Sequence, residues 1–201
     1  MPSGGAWLLA GAVLLVGSAP GARSTVPGLT RHALALWMLL GVALSTINLP
    51  VAGLLVNPGG TVLPAAFGGI VLGGTHGIAP WRVVVAAVGT AAALTLIPAW
   101  SELNGVYWQA QLVTGLVAGA IGAGLTAGVG EAVGACSLAL VIADGLRLWS
   151  ASAGWLPWPA SLGGGGTFDA AVLAIGTVPL AAWASERSRR RASLGAGPPT
   201  P

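Results

Sequence analysis

Apolar residues fill this chain in long blocks, separated at short intervals by glycine, proline or a few polar residues. The blocks lack the wide polar face that marks an amphipathic helix at a water surface. A helix needs about 20 apolar residues, within a range of roughly 17 to 25, to cross a hydrocarbon core. By that ruler the blocks predict seven spans, near residues 5–21, 33–55, 60–79, 82–99, 110–128, 132–149 and 167–184. The stretch from Leu112 to Leu148 carries only two acids, Glu131 and Asp144; it is too long for one span and divides at Gly128, Gly130 and Glu131. Residues 60–79 hold Gly68, Gly69, Gly73, Gly74 and Gly77, which weaken a helix, so that block reads either as a span or as a re-entrant piece. The expected fold is all-α: a polytopic transmembrane helical bundle of about seven spans in one domain, residues 1–186. The tail, 187–201, is Arg-rich, then Gly/Pro-rich without apolar periodicity, and is expected to be disordered and cytoplasmic.

Composition agrees with a bilayer. Hydrophobic residues make up 55% of the chain and charged residues 6%, with a mean hydropathy of +0.84, far from soluble usage. A pI near 10.5 would suit nucleic acid, but the eight basic residues are all Arg and flank apolar blocks instead of forming a basic face with stacking groups. No nucleic-acid partner is expected. The single cysteine, Cys136, excludes an intrachain disulfide and a cysteine metal cluster and reads as a packing residue.

Short cytoplasmic loops retain Arg. An N-terminus outside and a C-terminus in the cytoplasm place Arg23, Arg31, Arg82, Arg187, Arg189, Arg190 and Arg191 inside and only Arg147 outside. The multi-pass chain is therefore expected in an inner (cytoplasmic) membrane. A rival reading takes Trp7 to Gly17 as a signal-peptide core with a small-residue cleavage site at Ala19 to Ala22, which would reverse the later loops. Trp100, Tyr107, Trp108, Trp149, Trp155 and Trp158 fall near the expected outer ends, as an aromatic belt does. Glycines at four-residue spacing, Gly115 and Gly119, Gly124 and Gly128, and Gly130 and Gly134, suit close helix packing within the chain or between copies.

In so uncharged a chain the polar exceptions matter. With the N-terminus outside, Asn48, the turn Asn57-Pro58-Gly59-Gly60, Asp144, and the segment Gly163-Gly164-Gly165-Gly166-Thr167-Phe168-Asp169 all gather toward the outer leaflet. Glu131, Glu186, His32 and His76 are expected as interfacial residues on the inner side. Ser45-Thr46-Ile47-Asn48-Leu49-Pro50, Asn57-Pro58-Gly59-Gly60 followed by Pro64, Ala143-Asp144, and Ser161 through Asp169 together resemble the domain-of-unknown-function family sixteen-fourteen. That family comprises uncharacterised prokaryotic polytopic membrane proteins. The similarity covers most of residues 45 to 180, with Ile142 and Ala170 standing where the pattern has glycine. The resemblance implies a membrane fold and no activity.

Three readings follow from the carboxylates. Intramembrane acids are costly and often functional. Asp144 and Asp169, with Asn48, Asn57, Gly59, Gly60, Gly163, Gly164, Gly165, Gly166 and Thr167 around them, suit a site for a small cation or proton in transport or binding of a small solute, since transporter sites use interrupted helices and buried carboxylates. The same two acids suit an intramembrane aspartyl-type protease dyad, although Thr167 and Phe168 separate Asp169 from the glycines. A structural or scaffold role has Asp169 capping span seven and Asp144 paired with Arg147. The glycine run lacks the Lys of a nucleotide loop, neither His has a nearby carboxylate partner for a metal, and the sequence names no cofactor.

Overall fold

The computed structural model describes residues 30–74, 80–105, 107–126, 128–155 and 161–163, together with Ile175 and Val178. Five helices account for most of them: α1 Arg31–Leu44, α2 Val62–Gly74, α3 Pro80–Asn104, α4 Tyr107–Leu125 and α5 Val129–Ser152. The helical class stands. One small exception is a three-stranded sheet of β1 Leu49–Val51, β2 Leu54–Val56 and β3 Ser161–Leu162, with β2 in the middle. The two strands of the hairpin are antiparallel, while β2 and β3 run parallel.

The expected seven spans are not what the described residues present. Only two of their helices, Pro80–Trp100 within α3 and Val129–Ser152, are long and apolar enough to cross a membrane. The first and seventh spans and the Arg-rich tail lie almost wholly outside the described residues, with Ile175 and Val178 buried in the core. The second span, expected to run to residue 55, stops at Leu44. Its last turn is closed from within: Ser45 Oγ donates to the Val42 carbonyl at 2.7 Å and Thr46 Oγ1 to that of Ala43 at 2.8 Å. These hydroxyls satisfy carbonyls that the helix end leaves free. Pro50 then holds Leu49 extended, and Ala52 and Gly53, both at positive φ, turn the chain back. Of residues 60–79, Val62–Gly74 form a helix about 20 Å long at 1.5 Å per residue, and 75–79 lie outside the described residues.

Contacts fix the helix directions. Trp37 of α1 meets Phe67 of α2 edge to face at 5.4 Å, Gly68 and Val71 of α2 lie against Leu138 and Gly134 of α5, and Gly89 of α3 faces Ile121 of α4. Thr90 Oγ1 of α3 donates to the Ala118 carbonyl of α4 at 3.2 Å, and Gly122 of α4 touches Cys136 of α5. Successive helices therefore alternate in direction. Arg31 and Arg82 start their helices at one end of the bundle, whereas Trp100, Trp149 and the hairpin lie at the other.

Helix α5 is the axis of this arrangement and packs on α2, α3 and α4. From Val129 to Ala143 it is rich in Gly, Ala and Ser and buried on nearly every side, and small residues let neighbouring backbones approach. Gly134 and Gly122, from the region of four-residue glycine spacing, pack within the chain. Cys136 is buried, as a packing residue should be. Glu131, expected as an interfacial residue on the inner side, is fully buried in the first turn of α5. The outward faces carry exposed Val84, Val85, Val88 and Leu96 on α3, and Val113, Leu116 and Val117 on α4.

Candidate functional site at the asparagine and glycine joint

Asn57 organises the polar end of the bundle. Its side chain is buried, with 4% of its surface exposed. The amide donates to the Ser45 carbonyl at 2.7 Å and to Asn48 Oδ1 at 3.2 Å, while its own Oδ1 accepts from the Gly60 N–H at 3.0 Å. Its backbone carbonyl receives Thr61 N at 3.0 Å and Thr61 Oγ1 at 2.7 Å. Asparagine is suited to this position because its side chain can close a turn on the backbone ahead while donating backward. One residue thus ties the end of α1 to the start of α2.

A second tie runs to the chain a hundred residues on. Asn57 N donates to the Leu162 carbonyl at 2.9 Å, continuing the β2–β3 pairing. At the next residue, the Gly163 N–H donates to Asp144 Oδ2 at 2.8 Å. Asp144 is buried to within 8% of its surface, and its other carboxylate oxygen has no hydrogen bond among the described residues. Its observed hydrogen-bond partner is a backbone amide; Arg147, the expected structural partner, acts on it through its charge, without a hydrogen bond among the described residues.

Backbone proximity makes the glycines necessary. A Cβ on Gly60 would overlap the Gly163 carbonyl, and one on Gly163 would lie 2.6 Å from the Gly60 carbonyl carbon. Gly163 also has φ +67, a region that other residues enter at a cost. Gly59 is pressed on α1, where a Cβ would lie 2.6 Å from both the Gly41 oxygen and the Ser45 nitrogen.

Six residues expected at the site are therefore brought together: Asn48, Asn57, Gly59, Gly60, Asp144 and Gly163. Gly164, Gly165, Gly166, Thr167 and Asp169 lie outside the described residues, and with them the second carboxylate of the dyad. Sequence reasoning missed Ser45 and Leu162, which contribute backbone carbonyls and so left no side-chain signal. Asp144 is about 5 Å along the axis from the midpoint of α5. The joint thus lies nearer the middle of α5 than its end. Among the described residues no three His, Cys, Asp or Glu side chains gather as metal ligands.

Chemically, the joint is an asparagine clamp beside a buried carboxylate. Asn57 donates both amide hydrogens and accepts one bond at its oxygen, all within the chain, so it positions the segments. Asp144 accepts one hydrogen bond among the described residues, at Oδ2. The class defined by these features is a helical bundle with apolar outer faces and a polar joint between two non-helical segments. No family model, curated protein or solved structure matches the chain.

Proposed function

We propose that the chain is a multi-pass protein of a prokaryotic inner membrane, with its N-terminus outside and C-terminus cytoplasmic, that binds a proton or small cation at Asp144 in transport or binding of a small solute. The seven-span arrangement and the membership of family sixteen-fourteen belong to this proposal. Exposed valines and leucines along the outer faces of α3 and α4 support the membrane, because contiguous apolar surface of this kind is unusual in water. The end-to-end separation of Arg31 and Arg82 from Trp100 and Trp149 supports the orientation.

The observation that carries the ion reading is the burial of Asp144 where the Asn57–Gly60 turn meets the chain at Gly163, with one of its oxygens hydrogen-bonded among the described residues. Broken segments that expose backbone dipoles around a carboxylate are the usual design of a membrane ion site. In this reading Asn48, Asn57, Gly59, Gly60 and Gly163 shape the site and Asp144 exchanges the ion. The remaining glycines, Thr167 and Asp169 are the candidates to complete it.

Two substitutions separate ion binding from architecture. Asp144→Asn keeps an oxygen for the Gly163 N–H and removes the charge; Asp144→Ala removes both. Thermal unfolding of the purified protein, with sodium, potassium or lithium chloride and across pH, should show a ligand-dependent gain in the parent, about 2.7 kcal/mol at a hundredfold excess over Kd. Asp144→Asn should lose that gain while keeping its ligand-free stability within about 1 kcal/mol, and Asp144→Ala should lose a further 1–3 kcal/mol, roughly, from the orphaned amide. If Asp144→Asn matches the parent under every ion and pH, the carboxylate serves only to hold Gly163.

A further inference from the structure

The hairpin has a side-chain composition that is difficult to reconcile with water. Residues 49–56 read Leu-Pro-Val-Ala-Gly-Leu-Leu-Val, without one polar side chain. Leu49, Val51 and Leu55 are exposed, Val51 to 53%, although they belong to a regular two-stranded unit. Its backbone is equally hard to reconcile with hydrocarbon. Strand β1 is an edge of the sheet, and lipid tails offer nothing to unpaired N–H and C=O groups. Pro50 removes one donor from that edge and leaves it a poor template for another strand.

Both requirements are met at one depth, the boundary where headgroups and water reach the backbone while acyl chains receive the side chains. Geometry agrees. A hairpin with three residues in each strand reaches about 10 Å, starting from a joint about 5 Å from the midpoint of α5. Directed along the bundle axis, in a bilayer centred on the midpoint of α5, its tip would come to about 15 Å, half the thickness of a hydrocarbon core. It lies at the end of the bundle that carries exposed Trp100, Trp149 and Trp155, and such rings favour the same boundary.

We infer that the hairpin Leu49–Val56 is a membrane-interface anchor, with its apolar side chains in the headgroup–acyl boundary of the leaflet at the Asp144 end of the bundle. This rests on the membrane reading above and goes beyond it by assigning a lipid partner to a non-helical segment. It also gives the anchor a mechanical connection. Strand β2 pairs with β3, and the residue after β3, Gly163, is held by Asp144. The depth of the hairpin thus sets the position of the joint.

Nitroxide labels test this in lipid bilayers. In a Cys136→Ala background, Val51→Cys reports the hairpin and Val88→Cys the outer face of α3, each read by accessibility to oxygen and to a water-soluble nickel chelate. The expected result is a label at Val51 within about 10 Å beneath the headgroups, with the Val88 label deep in the acyl chains. A water-exposed Val51 label beside a deep Val88 label overturns the anchor alone. Water exposure at both sites overturns the membrane reading and the anchor with it. A Val51 label shielded from both reagents assigns the hairpin to a protein partner or a second copy and overturns the lipid assignment.

Discussion

Gly60 and Gly68 lie eight positions apart, and each is pressed against a neighbouring segment, yet the neighbours differ in kind. A Cβ on Gly60 meets the Gly163 backbone; one on Gly68 meets the end of the Leu138 side chain. Backbone held by hydrogen bonds on both sides cannot yield without breaking them, whereas a leucine terminus moves by changing rotamer. The comparison distinguishes two ways of holding this molecule together. The joint uses main-chain contact and saturated polar bonds. The bundle uses small side chains and adjustable apolar ones.

Gly60→Ala should consequently have the largest effect. The added methyl group must displace Gly163, and with it both the Leu162 carbonyl taken by Asn57 and the amide taken by Asp144. We expect a loss of about 3 kcal/mol or more, at the upper end of ordinary overpacking because no side chain can absorb the insertion. Thermal unfolding of the purified variant measures it. A loss under about 1 kcal/mol would mean that the two glycines do not meet in solution and that the distinction between joint and bundle fails.

The joint was largely legible because its ingredients are expensive in an apolar chain. Asn48, Asn57 and Asp144 cannot be left unpaired in such surroundings, and Gly59, Gly60 and Gly163 interrupt runs of larger residues. The pairing was not legible. Asp144 is joined to a main-chain amide 19 positions away, a bond with no helical spacing to betray it, whereas Arg147 three residues on was the obvious partner and contributes only its charge. The hairpin escaped for a related reason. A strand is recognised by alternation of apolar and polar positions, and with every side chain from Leu49 to Val56 apolar there is no alternation to read. Pro50 and Ala52-Gly53 were the available clues. The burial of Glu131 was not legible, because it comes from the neighbours that pack on α5.

Gly68→Ala sharpens the comparison from the other side. Leu138 must rotate, an overpacking cost of about 1–2 kcal/mol, and the helix gains up to about 1 kcal/mol from replacing a glycine. The net loss in thermal unfolding should therefore stay near or below about 1 kcal/mol. A loss equal to that of Gly60→Ala would show that Leu138 is as fixed as the backbone, and the bundle would no longer be the compliant region.

Gly69→Ala is the smallest change and probes the outer face. Gly69 neighbours Gly68 in sequence but faces away, with nothing within 4 Å of an added Cβ, and Gly73 one turn on is equally open. In the single chain the substitution removes only the conformational freedom of glycine and should stabilise α2 by about 0.5–1 kcal/mol. Lipid would accommodate the methyl group without resistance. A second helix seated on Gly69 and Gly73 would not, because small residues at that spacing admit close backbone approach between membrane helices. Destabilisation that grows with protein concentration in detergent would therefore reveal association of copies through this face. The open side of α2 would then belong with the joint, as a surface where glycine is required by the backbone that lies against it.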